Sequence, residues 1–321
     1  MPSDAALRLV VARALEVDIV AVEGLAALSG GTSRVTWSLD AVDAAGRRHP
    51  LILQCQRTLT WGSGLDVEAE AGVLLAAFGV GAPVARLRGW DAGPEVLGSP
   101  YLLLDRVEGE TIPQRLLRQA RFTRARPLLA RQYGQALASL QRVPVGQLDR
   151  LAHEDPPVKY RRILDDIAVA HPALELGFRW LDAHRVHPAG EVLVHGDYRN
   201  GNGIVGDDGL LAVIDFELAH IGDPLEDLGW FCLRAWRFGE TPQAGGFGSV
   251  DELVGGYEDG GGARVDRDAL RWWQVLGTVR WAVICMMQGA TQLSGHRRSI
   301  ELAAVGRRTP EPELDLLLLL P

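Results

Sequence analysis

His195-Gly196-Asp197-Tyr198-Arg199-Asn200-Gly201-Asn202, followed by Ile214-Asp215-Phe216-Glu217, is the stretch on which the reading of this chain turns. Each segment adjoins a short apolar run, Glu191 to Val194 and Leu210 to Ile214, that reads as a strand. A carboxylate at a strand end, carried on an accessible loop, can accept a proton from a hydroxyl group. Asn202 brings an amide oxygen five residues after Asp197, and Asp215 brings a second carboxylate. Both are hard oxygen ligands of the kind that hold Mg²⁺ beside phosphates. A turn or a helix cap would explain any one of these residues. Taken in this order they describe a base followed by a pair of metal ligands.

Outward from this stretch the chain divides into two kinds of pattern. Residues 3–16 predict a short amphipathic helix with Ser3 as N-cap and Leu7, Val10, Val11 and Leu15 on one face. Leu25 to Leu39, Leu51 to Gln56 and Tyr101 to Asp105 read as strands, with a helix over Asp66 to Phe78 between them. Beyond residue 111 the apolar period is helical over 124–142, 160–169, 173–184, 224–236 and 268–289. The expected organisation is α+β, with a mostly β N-terminal lobe over 1–105 and a larger, mostly helical lobe over 106–321.

Composition excludes several classes. Hydrophobic residues at 47% and charged residues at 23% suit a globular chain, not a disordered one. The formal net charge of -8 argues against a nucleic-acid partner, which would want a basic face. Cys55, Cys232 and Cys285 follow no C-x-x-C spacing, so neither a disulfide framework nor a cysteine zinc site is expected. The histidines show no H-E-x-x-H spacing either. The first residues carry no secretory pattern, and the apolar run Leu314 to Leu320 is far short of the roughly 20 residues that span a bilayer. A cytoplasmic protein with no membrane partner is the expectation. Lysine occurs once, at Lys159, so nearly every base is an arginine.

The segment from His195 to Asp227, with HGDYRNGN and VIDFELAHIGDPLEDL, resembles the aminoglycoside phosphotransferase (APH)/choline kinase superfamily, which shares the protein-kinase-like bilobal fold. More narrowly it is similar to the kinase-like domain fused to some acyl-CoA dehydrogenases. The base-to-asparagine spacing of five, with a metal-binding aspartate later, is also that of the protein-kinase catalytic loop. The resemblance implies an ATP- and Mg²⁺-dependent transfer of the γ-phosphoryl group to a hydroxyl of a small molecule. Asp197 would be the catalytic base, and Asn202 and Asp215 the Mg²⁺ ligands. His195, Arg199, Glu217 and Asp227 would support that loop, Asp227 by tying down its backbone. The sequence leaves the choice between ATP and GTP, and the oligomeric state, open.

The nucleotide side is expected upstream. Leu28 to Arg34 occupies the place of a nucleotide-covering loop, where Gly30, Gly31 and Ser33 would let backbone amides approach phosphate oxygens. Glu70 matches the glutamate that braces the nucleotide-binding base, with Glu68 as its rival. Tyr101 to Val107 resembles the hinge whose backbone reads the adenine edge, with Asp105 and Val107 as the contacts. One position departs from the pattern. Relatives carry a basic residue in the third strand, where this chain has Leu51-Ile52-Leu53-Gln54-Cys55-Gln56-Arg57, with Gln54 at the basic position. Arg57, brought round by a bulge, or Arg34 would be the substitutes. A neutral Gln54 also suggests an alternative, a nucleotide-binding pseudokinase with a regulatory or scaffolding role.

The acceptor pocket is expected in the helices after Asp215. Trp230 to Arg298 holds seven acids against eight arginines, a balance that does not suit a polycationic aminoglycoside. The same stretch is rich in tryptophan. Trp236 with Arg234, Arg237 or Arg280 would suit an anionic or acyl-type small molecule. Asp223-Pro224-Leu225-Glu226 reads as an N-cap, a first-turn proline and a first-turn acid.

Overall fold

The computed structural model describes residues 2–28, 34–56, 64–295 and 298–320. Gly30, Gly31, Ser33 and Arg57 lie outside the described residues.

Helix α1 (Asp4–Leu15) starts where Ser3 accepts the Ala6 N–H at 3.2 Å. It is followed by β1 (Ile19–Leu28), β2 (Arg34–Asp43), β3 (Arg48–Gln56), α2 (Val67–Gly79), β4 (Leu87–Asp91) and β5 (Tyr101–Asp105). The strands form one antiparallel sheet in the order β1-β2-β3-β5-β4. Alternation assigns its two faces. Leu39, Ala41, Leu51, Leu53, Cys55, Tyr101 and Leu103 pack on Leu7, Val10 and Val11 of α1. Leu102 and Leu104 turn the other way, into the core that contains Val73, Leu74 and Ala77 of α2. Arg34 and Gln54, each an even step from its neighbours on that second face, therefore share the side that α2 occupies.

The rest of the chain is helical around two small two-stranded sheets, β6 with β9 and the hairpin β7–β8, whose ranges follow. The elements are α3 (Pro113–Arg118), α4 (Arg126–Leu140), α5 (Pro156–Ile167), α6 (Pro172–Ala183), β6 (Val192–Val194), β7 (Gly203–Gly206), β8 (Gly209–Val213), β9 (His220–Gly222), α7 (Glu226–Phe231), α8 (Val250–Asp259), α9 (Arg267–Leu293), α10 (Ile300–Gly306) and α11 (Pro310–Leu319). α9 is the long central helix, and its Leu270, Val275, Leu276, Val279 and Val283 lie in the main core. Helices α4 and α8 meet at glycines. A Cβ on Gly134 would stand 2.1 Å from Leu253 O, and one on Gly256 would stand 2.1 Å from Arg131 O, so no side chain fits at either crossing point.

Two expectations are corrected. The helix expected over 224–236 is broken into α7 and a separate 3₁₀ turn over Arg234–Arg237, which ends at Phe238 with φ 51°. Asp223 is not the N-cap of α7, which begins three residues later at Glu226. Its carboxylate instead accepts the N–H groups of Leu225 and Ala189, both at 2.8 Å, and so joins the turn to the strand region before β6. Proline at 224 fits the turn as well as it would a first helical turn.

Among the described residues no helix is long and apolar enough to cross a membrane.

Candidate active site

The loop after β6 is fixed from below. Asp227, fully buried in α7, accepts the backbone N–H of His195 at 2.7 Å and of Gly196 at 3.1 Å. Burial and the neighbouring Glu226 push its carboxyl up to about 7, against the two N–H donors that favour the charge. His195 is sealed beneath the loop. Its Nδ1 accepts the Asp197 N–H at 3.2 Å, so Nε2 carries the proton donated to Ile214 O at 2.9 Å. Burial lowers its pKa to about 4, so the ring is neutral and acts as a spacer between the two halves of the site. Tyr198 OH donates to Tyr133 O at 2.6 Å, and Asn200 Nδ2 donates to Gly245 O at 2.7 Å. A backbone bond from Ile214 N to Asn202 O, 3.0 Å, closes the ring around the β7–β8 hairpin.

On this frame Asp197, Asn202 and Asp215 converge. Asn202 Nδ2 donates to Asp197 O at 2.8 Å and to Asp197 Oδ2 at 2.7 Å, which leaves the amide oxygen for another partner. Arg199 Nε donates to both oxygens of Asp197, at 3.1 and 3.0 Å. Trp230 Nε1 donates to Asp197 Oδ1 at 2.9 Å. The carboxylate is thus aimed by three donors from three places in the chain. Asp215 sits at the open cleft with φ 73°, a left-handed conformation that aspartate tolerates better than most residues. The protein packed around it, together with Glu217, Asp197 and Glu70, pushes its carboxyl up to about 7, and Arg199 opposes this in part. Such crowding of like charge favours a cation there. Among the described residues no three His, Cys, Asp or Glu side chains gather into a metal site of their own. One amide oxygen and one carboxylate fit an ion shared with phosphate oxygens, as Mg²⁺ sites commonly are.

On the nucleotide side, Glu70 is buried in α2 and ion-paired with Arg34 at the head of β2. Its rival Glu68 lies at the surface, 3.1 Å from Arg150. Burial raises the Glu70 carboxyl, an effect Arg34 offsets only in part. Arg34 Nη1 also donates to Gln54 Oε1 at 3.4 Å, a long contact. At the expected hinge, Asp105 donates its N–H to Arg86 O at 2.9 Å and its carboxylate accepts from Arg88 at 2.7 and 2.8 Å; neither contact uses its carbonyl oxygen. Val107 has no backbone hydrogen bond to any described residue.

The expected acceptor arginines separate. Arg280, expected to meet an anionic acceptor, is buried in α9 and committed to the protein: Nη1 donates to Glu226 Oε1 at 3.1 Å and Nη2 donates to Gly196 O. Its guanidinium carbon lies 4.3 Å from the centre of the Trp230 ring, in cation–π contact. Arg234 is exposed and donates to Asp315 Oδ1 at 3.2 Å. Arg237 is half-buried, donates from Nη2 to Cys232 O at 2.9 Å, and keeps Nε without a partner among the described residues. Trp236 packs between Trp230 and Trp281, with centroids 5.2 and 4.9 Å away, and Arg199 lies 4.8 Å over its ring.

Sequence reading did not single out Trp230, yet its indole N–H reaches Asp197. Glu226 was taken only as a first-turn acid, yet it joins His220 to Arg280. For Arg280 a signal existed: Leu276, Arg280 and Val283 fall on one apolar face of α9, where an arginine needs a buried partner.

The chain is 26% identical over 196 residues, 58% of its length, to mouse (Mus musculus) acyl-CoA dehydrogenase family member 10, and the match spans only 18% of that longer protein. A candidate aminoglycoside phosphotransferase from Ralstonia eutropha JMP134 superposes with a TM-score of 0.74 at 19% identity, covering 98% of this chain and 97% of that one. Spectinomycin phosphotransferase APH(9)-Ia, solved with ADP and spectinomycin, superposes with a TM-score of 0.63 at 12% identity, covering 99% and 98%. Both share the bilobal fold, with its N-terminal antiparallel sheet and helical C-terminal part. Residues 24–273 match the phosphotransferase enzyme family (APH), and the chain belongs to that family.

Proposed function

We propose that the protein transfers the γ-phosphoryl group of ATP, with Mg²⁺, to a hydroxyl of a small molecule. The observation that carries this reading is the Asp197 carboxylate, held by Arg199, Trp230 and Asn202 beside the cleft residue Asp215. Asp197 would accept the hydroxyl proton as the acceptor oxygen attacks phosphorus. Its three donors fix the carboxylate so that little reorganisation is needed at that moment. Asn202 Oδ1 and the Asp215 carboxylate would hold Mg²⁺, which when bound neutralises charge on the transferring phosphoryl group. Arg199 places a second positive charge at the same end of the cleft.

The pseudokinase alternative rested on Gln54 alone, and the Arg34 charge beside Gln54 favours the phosphotransferase reading over it. For the acceptor, an anionic or acyl-type hydroxylated molecule fits better than the antibiotics named for the structural neighbours. Arg237, whose pKa burial lowers and whose Nε has no partner among the described residues, would gain from an anionic partner. A screen of hydroxylated metabolites and acyl-CoAs for ATP consumption, with Asp197→Asn as the blank, tests this. Preferential turnover of a polycationic aminoglycoside would overturn the acceptor class.

Nucleotide binding is expected to depend on the cation, because two hard oxygen ligands among carboxylates repel a bare triphosphate. ATP should raise the melting temperature in Mg²⁺ and have little effect in EDTA. Equal protection in both would remove Asn202 and Asp215 from the metal role.

A further inference from the structure

The cleft gathers negative charge: Asp197 lies on the loop after β6, Asp215 and Glu217 follow β8, and Glu70 is carried by α2, whose approach is tied to Glu217 O by the Leu65 N–H. A polyphosphate can enter only where fixed cations face those carboxylates. The single lysine, Lys159, is held in α5 by both oxygens of Glu154, at 2.7 and 2.6 Å. Arg280 is enclosed beneath the loop and Arg88 is taken by Asp105. Two arginines bond carboxylates of this cleft. Arg199 belongs to Asp197. The other is Arg34, and its position follows from the sheet register.

β2 and β3 pair antiparallel with Thr36 opposite Gln54 and Arg34 opposite Gln56. Arg34 and Gln54 are therefore diagonal neighbours on one face, and that face meets α2. There Glu70 pins the Arg34 guanidinium, and Gln54 accepts one further N–H. A guanidinium has five N–H donors, and these two contacts leave others for a ligand. Leu65, just before α2, donates its N–H to Glu217 O at 2.7 Å, which brings the start of α2, and with Glu70 the ion pair, to the Asp215 end of the same cleft.

We propose that Arg34 is the side-chain cation that binds the nucleotide phosphates, the charge having moved from the third strand to its neighbour, with Gln54 as the neutral residue that makes room for it. This rests on the phosphotransferase reading above. Arginine at both positions would place two like charges on one short diagonal, which accounts for a neutral side chain at 54.

The test is a charge transplant read by Mg·ATP titration. Arg34→Gln should weaken Mg·ATP binding by roughly tenfold, about 1.4 kcal/mol. Because Arg34→Gln leaves Glu70 buried and unpaired, Arg34→Gln/Glu70→Gln is the companion variant, and the same weakening should persist in it. Gln54→Arg alone should bring no gain, whereas Arg34→Gln/Gln54→Arg should recover most of the lost affinity. If the Arg34→Gln/Glu70→Gln protein melts cooperatively and binds Mg·ATP within twofold of the parent, the assignment is wrong. A gain from Gln54→Arg in the parent background would equally overturn it, since the site would then have lacked a cation. If the folded parent protein binds no nucleotide at all, the phosphotransferase reading itself fails, an outcome distinct from both.

Discussion

Asp197→Asn is expected to lower turnover of a verified acceptor by at least about two orders of magnitude, the usual scale for loss of a general base. Mg·ATP affinity should stay within a few-fold of the parent. The asymmetry comes from the contacts. Asp197 makes no cation contact on the Arg34–Glu70 side, and its three donors are protein groups: Arg199, Trp230 and Asn202. An asparagine at this position retains an acceptor oxygen for one of them and keeps the loop's shape, but cannot take a proton. Trp230→Phe is the informative companion. It leaves the carboxylate in place and removes one of the bonds that aim it, so it should reduce turnover by less than Asp197→Asn. Phosphoryl transfer at parental rates by Asp197→Asn would eliminate this residue as the base. A Trp230→Phe protein as impaired as Asp197→Asn would show that the indole does more than orient.

The parts of this site that were legible in the sequence are those whose chemistry forces a short-range spacing. Asp197 and Asn202 sit on one loop, and Asp215 ends the next strand, so their order along the chain nearly fixes their meeting. Asp227, the second residue of α7, was legible only through the family resemblance, which implies a helix aspartate that ties down the loop backbone. Arg34 was named only as a possible substitute for the third-strand base. Deciding its role needs the strand to start at residue 34 and the alternation to run from there, and no local pattern marks that start. β7 and β9, of four and three residues, are too short to show alternation. The apolar pattern of α8 is broken by Gly255-Gly256, yet the helix runs on, and at Gly256 the missing side chain is demanded by α4. Arg280 was misread because an arginine near aromatics suits both a ligand pocket and a buried pair. Only the three-dimensional position of Glu226 and Gly196 separates the two.

Arg280→Met is the substitution expected to cost the most stability outside the apolar core, about 3 kcal/mol, the lower end of the range for breaking a buried ion pair. The lower end applies because Glu226 keeps a second partner. His220 Nε2 lies 3.2 Å from Glu226 Oε2 and Nδ1 lies 2.9 Å from Leu218 O, so both ring nitrogens face acceptors and the imidazolium form is favoured. Burial opposes that charge, yet the Glu226 contact outweighs it and holds the His220 pKa above its ordinary value. Removing the guanidinium still strips a donor from Gly196 O and a cation from the Trp230 face, and methionine fills only the volume. If the cost arises from leaving Glu226 under-compensated, neutralising it should return part of the loss. Arg280→Met/Glu226→Gln is then expected to be more stable than the sum of the two single effects by about 0.5–3 kcal/mol, the range seen for residues in one network. Urea unfolding of the four proteins in this cycle gives the coupling directly. Additive losses, or an Arg280→Met protein within about 1 kcal/mol of the parent, would mean that the arginine serves packing alone. Arg280 would then be free of the role in fixing the Gly196 carbonyl that the geometry assigns to it.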